Sequence, residues 1–119
     1  DQIGNPTWAG WIAEATAKIV RMLREKDQDK TLSGTYHLAS AGQTSWYGFA
    51  QSIFSQFGYD GVEVKPVPTT EYPTPATRPK YAVLDTTRLQ ETFGLRSPTW
   101  REQLTALRNR MREPENYRP

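Results

Sequence analysis

Arg78 stands between Thr77 and Pro79, inside the run TEYPTPATRPKYAVLD from Thr70 to Asp85. Proline lacks an amide donor and clashes with the preceding turn, so this run cannot be helix. An arginine on a loop stiffened by proline is held in a restricted place. Its planar fork can take a phosphate or a carboxylate through two parallel hydrogen bonds. An ordinary surface salt bridge would use the same residue, and local sequence leaves both readings open.

Other chemistry is thin. His37 is the only histidine, and its place within TYHLA favours a packed or hydrogen-bonded structural residue over a catalytic base. The chain has no cysteine, which removes the thiol nucleophile, the disulfide framework and the cysteine metal cluster, and leaves no zinc set. A carboxylate-only cation site has no motif to support it. The glycines lie at 4, 10, 34, 42, 48, 58, 61 and 94, and no three fit the spacing that brings a backbone close to a pyrophosphate. A short-chain reductase also needs a tyrosine with a lysine four residues on. Here Tyr36, Tyr47, Tyr59, Tyr72 and Tyr81 are followed at that spacing by Ser40, Gln51, Glu63, Ala76 and Asp85. No catalytic, cofactor-binding or metal-binding residue is therefore expected in this chain.

The elements that would position Arg78 follow from periodicity and punctuation. Thr7 can cap a helix in which Trp8, Ile12, Ala15, Ile19 and Leu23 recur at helical spacing, giving a helix from about Trp8 to Lys26. TYHLA, Thr35 to Ala39, reads as a buried strand. Thr44 or Ser45 caps a second helix whose stripe of Trp46, Phe49, Ala50, Ile53, Phe54 and Phe57 is expected to be core, and Gly58 ends it. VEVKPV, Val62 to Val67, alternates as a half-buried strand with Pro66 at its edge or end. YAVLD reads as another strand and TTRLQETFG as a short helix closed by Gly94. The last helix starts from Ser97, with Pro98 at the first position, or from Thr99, with Glu102 completing a capping box. Trp100, Leu104, Leu107 and Met111 line its apolar face in either case, and the tail 113–119 is expected to be loose.

At 119 residues the chain is at most one ordinary domain. A net charge of +2 is far from the concentrated basic face of a nucleic-acid binder. The arginines from Arg96 to Arg118, interleaved with Glu102, Glu113 and Glu115, read as a solvated helix face and tail. No signal peptide or membrane span is visible, and with no cysteine the default is a cytoplasmic protein without membrane or nucleic-acid partners.

DQIGNPT, GTYHLASAGQTSWYGFA and EYPTPATRPKYAVLDTTRLQETFG followed by PTWREQL resemble, in order and spacing, the C-terminal portion of the dTDP-4-dehydrorhamnose reductases. These are extended short-chain dehydrogenase/reductases, and the resemblance runs from Asp1 to about Leu107. It implies an α/β fold: the C-terminal part of a Rossmann-type reductase, with small mixed helices and short strands and the cofactor domain absent. Residues 1–112 would form the substrate-binding portion and 113–119 a flexible tail. The reaction it implies is hydride transfer from NADPH, or sometimes NADH, to the C4 ketone of dTDP-4-dehydro-L-rhamnose. The glycine-rich loop and the Tyr and Lys pair belong to the N-terminal Rossmann domain, so an inactive fragment that holds no cofactor is the expectation. The resemblance also implies magnesium for some dimers of the full-length family, and no carboxylate of this chain is assigned to it.

The resemblance further implies that the proline-stiffened loop presents Arg78 to the diphosphate of a dTDP-sugar. Related enzymes often place an arginine in the segment matching DQIGNPT. None occurs in it here, which throws more weight on Arg78. Gln2, Asn5 and Thr7 are weaker substrate-binding candidates, with Asn5 otherwise a turn residue and Thr7 a helix cap. The alternative is a non-catalytic nucleotide-sugar-binding or regulatory module of the same fold. TYHLA normally completes the sheet of the cofactor domain, so the isolated chain is expected to form a homodimer or to be only marginally stable.

Overall fold

The computed structural model describes residues 1–25 and 30–112. Its regular elements are β1 (Ile3–Gly4), α1 (Ala9–Glu25), β2 (Thr44–Ser45), α2 (Trp46–Phe57), α3 (Thr87–Phe93) and α4 (Trp100–Arg112), with single 3-10 turns at Lys30–Leu32 and Thr69–Glu71. The expected tail and part of the loop after α1 lie outside the described residues. No helix among the described residues is long and apolar enough to cross a membrane.

The helices form where local signals agree. Ser45, not Thr44, caps α2: its hydroxyl accepts from the Gly48 amide at 3.0 Å, and Gly58 closes the helix in the left-handed region at φ 78°. Of the two possible starts for α4, the capping box prevails. Glu102 accepts from the Thr99 amide at 2.7 Å, and Thr99 accepts from the Glu102 amide at 3.2 Å. Gly94, at φ 65°, ends α3.

Helix faces differ in part from the periodic expectation. On α1 the buried residues are Trp11 and Ala15, while Ile12 is exposed. Thr7 does not cap α1, because the first turn closes on Trp8 and the Thr7 hydroxyl is engaged with Asn5 and Ser40. The α2 stripe is half-buried from Phe49 onward, but Trp46 is 70% exposed rather than core. On α4, Trp100, Gln103 and Leu104 are buried and Met111 is exposed. Trp11, Ala15, Ala39, Leu89, Phe93, Trp100 and Leu104 make up the apolar core. α2 packs on α4 with Phe49 edge-on to Trp100, ring centroids 5.9 Å apart, and Tyr36 meets Phe93 in the same way at 5.0 Å.

The expected strands are the main correction. Residues 35–39 and 62–67 form no ladder among the described residues, and 81–85 contributes a single bridge. A strand exists only beside another strand. Val62 and Val67 are exposed and Pro66 has no amide to give, so 62–67 has neither a buried face nor a full set of donors. The small sheet instead centres on Ile3. β1 pairs antiparallel with β2, Ile3 opposite Ser45 and Gly4 opposite Thr44. On its other edge, the Ile3 amide donates to the Lys80 carbonyl at 2.8 Å, and the Ile3 carbonyl accepts from the Ala82 amide at 2.8 Å. Ala41 bridges Thr99 in the same parallel sense.

Candidate functional site

Ile3 therefore holds three segments together: its own neighbour Gln2, the start of α2, and the chain leaving the proline loop. Two adjoining cavities open at this junction, of about 870 Å³ and about 340 Å³. Gln2, Ser45, Trp46 and Arg78 border both. The larger is walled by Pro66, Val67, Pro68 and Tyr72, the smaller by Asn5, Phe49, Pro79 and Ala82 among others. Their sizes lie in the range of ordinary small-molecule sites, roughly 300 to 1,000 Å³.

Arg78 is exposed and has no hydrogen-bond or ion-pair partner among the described residues. The surface salt bridge left open by the sequence is not formed there, and the guanidinium donors are available to an anion. The loop before it is ordered by Thr74, whose hydroxyl donates to the Ala76 carbonyl at 2.8 Å. Asp1 braces the larger cavity: its carboxylate accepts from the Thr69 amide at 2.9 Å and the Thr69 hydroxyl at 2.6 Å, and lies 3.6 Å from the Lys80 ammonium. The first turn of α2 also borders this cavity through Ser45, Trp46 and Tyr47, bringing the positive end of a helix dipole to the same place.

The other sequence candidates divide. Gln2 is half-buried, borders both cavities and donates its Nε2 to Thr69 Oγ1 at 3.2 Å. Asn5 borders the smaller cavity but spends its amide on structure. Nδ2 donates to the carbonyls of Ser40, at 3.1 Å, and Leu84, at 3.2 Å, while Oδ1 accepts from the Leu84 amide at 3.3 Å. Thr7 borders neither cavity; its hydroxyl donates to the Asn5 carbonyl at 2.9 Å and accepts from the Ser40 amide at 3.0 Å. His37 borders neither cavity and is exposed rather than packed.

Trp46 and Tyr72 border the larger cavity and are not among the candidates that the sequence singles out. Trp46 falls on the periodic face of Phe49, which as a whole reads as core. The usable signal is its position directly after the cap, where that face runs out beyond the core. Tyr72 sits in the proline run without a periodic pattern to assign it. No group of three or more His, Cys, Asp or Glu side chains able to hold a metal occurs among the described residues.

Known proteins are similar to this chain in sequence and in shape. The chain is 43% identical over 109 residues to dTDP-4-dehydrorhamnose reductase of Burkholderia thailandensis, covering 85% of this chain and 37% of that protein. It is 35% identical over 116 residues to the Escherichia coli enzyme of the same name, covering 93% and 38%. A crystal structure of a dTDP-4-dehydrorhamnose reductase from Clostridium acetobutylicum superposes with a TM-score of 0.73 at 37% identity, covering 92% of this chain and 36% of that one. The Bacillus anthracis reductase, solved in complex with NADP, gives 0.61 at 36% identity, covering 88% and 34%. The chain thus spans little more than a third of the length of these relatives, and its mixed helices and short strands follow the reductase structures. The family model described as the RmlD substrate binding domain matches residues 1–113, and the chain belongs to that family.

Proposed function

We propose that residues 1–112 are the nucleotide-sugar-binding part of a dTDP-4-dehydrorhamnose reductase, and that Arg78 binds the diphosphate. The observation that carries this reading is the unpartnered guanidinium of Arg78 at the junction of two cavities. A diphosphate offers paired oxygens to a planar fork, and the first turn of α2 adds favourable potential. A proline-stiffened backbone lowers the ordering cost, about 0.5 to 1.5 kcal/mol for a long side chain fixed on binding.

In the complete enzyme the reaction would be reduction of the C4 ketone of dTDP-4-dehydro-L-rhamnose by NADPH, giving dTDP-L-rhamnose. The residues described here do not fit the dinucleotide. Gly58 and Gly94 take positive φ at helix ends, and Gly42 stands before α2 without the companion glycines a pyrophosphate loop needs. No lysine follows a tyrosine at the catalytic spacing. The hydride and proton steps are therefore left to a cofactor domain, and this chain supplies binding, orientation and exclusion of water. Alone it is expected to be inactive.

Calorimetric titration of the 119-residue chain with dTDP-L-rhamnose, beside Arg78→Ala, tests this. Losing a charge-assisted hydrogen-bond pair typically costs about 1.5 to 3 kcal/mol, so the variant should bind roughly tenfold to a hundredfold more weakly. Equal binding by the variant would remove Arg78 from the site. No binding by a chain shown to be folded would overturn the claim that this part carries the site on its own.

A further inference from the structure

We propose that Asp1 is a positioning residue for Arg78, and that it acts by fixing the entry foot of the proline loop at Thr69. The assignment rests on the reading of Arg78 as the group that binds the diphosphate. Nothing holds the guanidinium itself, which has no hydrogen-bond or ion-pair partner among the described residues. Between Pro73 and Pro79 the one hydrogen bond among the described residues is local, from the Thr74 hydroxyl to the Ala76 carbonyl at 2.8 Å. A side chain on such a loop is placed only as well as the two feet of the loop are.

Both feet stand on residues 1–3. At the exit, the Ile3 amide donates to the Lys80 carbonyl at 2.8 Å, so backbone pairing holds that foot. At the entry, the turn Thr69–Glu71 makes no backbone-to-backbone hydrogen bond with a distant segment among the described residues. Side chains hold it instead. Asp1 Oδ1 accepts from the Thr69 amide at 2.9 Å and from the Thr69 hydroxyl at 2.6 Å, and Gln2 Nε2 donates to Thr69 Oγ1 at 3.2 Å. The short hydroxyl contact is the charge-assisted kind. Asp1 Oδ2 also lies 3.6 Å from the Lys80 ammonium, but an exposed pair of this kind contributes little. On charge alone, a carboxylate on the wall of the larger cavity opposes a diphosphate. What Asp1 offers is order: with the entry foot fixed, less conformational freedom is left to lose when Arg78 closes on its ligand.

A double-mutant cycle tests this, with dTDP-L-rhamnose titrated into the wild-type chain, Asp1→Ala, Arg78→Ala and the double variant. Asp1→Ala should weaken binding by roughly threefold to tenfold, the scale of ordering one long side chain. In the Arg78→Ala background the same change should have no further effect, because residues that act through one another give non-additive losses. A residue that only stabilised the fold would show no such coupling. Asp1→Asn, which keeps an oxygen for both Thr69 donors, should bind nearly as the wild type does. Where Arg78→Ala is weakened, wild-type or tighter binding by Asp1→Ala overturns this proposal alone. So does an equal loss from Asp1→Ala in both backgrounds, or a loss in Asp1→Asn as large as in Asp1→Ala, which would assign the effect to charge. If Asp1→Ala does not fold, as judged by circular dichroism, Thr69→Val, which removes the hydroxyl, decides through the same cycle. A folded wild type that does not bind, or an Arg78→Ala that binds equally well, overturns the reading on which the proposal rests and the proposal with it.

Discussion

Three segments distant in sequence meet on the side chain of Asn5: the end of β1, the Ser40 carbonyl and the Leu84 backbone. Each hydrogen bond of this kind contributes about 1 kcal/mol net, and an abandoned carbonyl or amide can cost more where water cannot replace the partner. Asn5→Ala should therefore lower the unfolding free energy by about 2 to 3 kcal/mol in urea titration, while Asn5→Asp, which sets a carboxylate against two carbonyls, should do no better. A loss below 0.5 kcal/mol would mean that the Ile3 bridges hold these segments unaided. The loop that carries Arg78 was legible at this scale because proline cannot continue a helix, whereas local sequence left the use of its guanidinium open between an anion and a surface salt bridge. The structural duty of Asn5 was not legible, because nothing local tells an asparagine where its distant carbonyls lie. Gln103 illustrates the same limit. It is buried with Oε1 accepting from the Trp8 amide at 2.9 Å and Nε2 donating to the Pro98 carbonyl at 3.1 Å, both unseen in a helical pattern of apolar residues.

At the scale of elements, the start of α4 depends on Thr99 and Glu102 satisfying each other's amides. Thr99→Ala should cost about 1 kcal/mol of stability, the usual value of a lost cap. The same box has a pH signature. Hydrogen bonds from the Thr99 side chain and then its backbone hold the Glu102 carboxyl below its ordinary value, and Thr87 does the same to Asp85 ahead of α3. A carboxylate whose folded-state pKa is depressed contributes stability that is complete above its unfolded-state pKa and disappears as pH falls through the folded one. Acid titration of the wild type should thus show stability falling below the ordinary carboxylate range. Thr99→Ala should show a shallower fall, because the side-chain hydrogen bond that contributes most to the depression is lost and only the backbone one remains. An unchanged slope would show that the box is open in solution. α2, α3 and α4 were legible because caps, glycine stops and periodicity are local signals. The expected strands failed because pairing is decided by distant chain: 81–85 found one bridge on Ile3, and 62–67 found no partner among the described residues.

The whole molecule carries more surface than its mass requires. Its accessible area is 9200 Å², whereas a compact monomer of 13.6 kDa would expose about 6,600 Å². Its radius of gyration is 17.5 Å, against about 13.5 Å for a compact domain of this length. The excess area exceeds the roughly 800 Å² that each partner contributes to a standard interface. Exposed Val20, Tyr81 and Leu84 supply apolar groups for such burial. We therefore expect the isolated chain to associate with itself or to be marginally stable, with an unfolding free energy under about 5 kcal/mol, the lower end for ordinary domains. Sedimentation over a hundredfold range of concentration, paired with urea unfolding at both extremes, decides it. Self-association would raise the sedimentation coefficient and the unfolding midpoint together, because assembly stabilises by mass action. Supplying the cofactor domain of a reductase in trans should then compete with self-association if both cover the same apolar surface. A chain that stays monomeric and unfolds with a large, concentration-independent free energy would mean that the extended shape is self-sufficient, and that its exposed apolar groups do not need a second body to cover them.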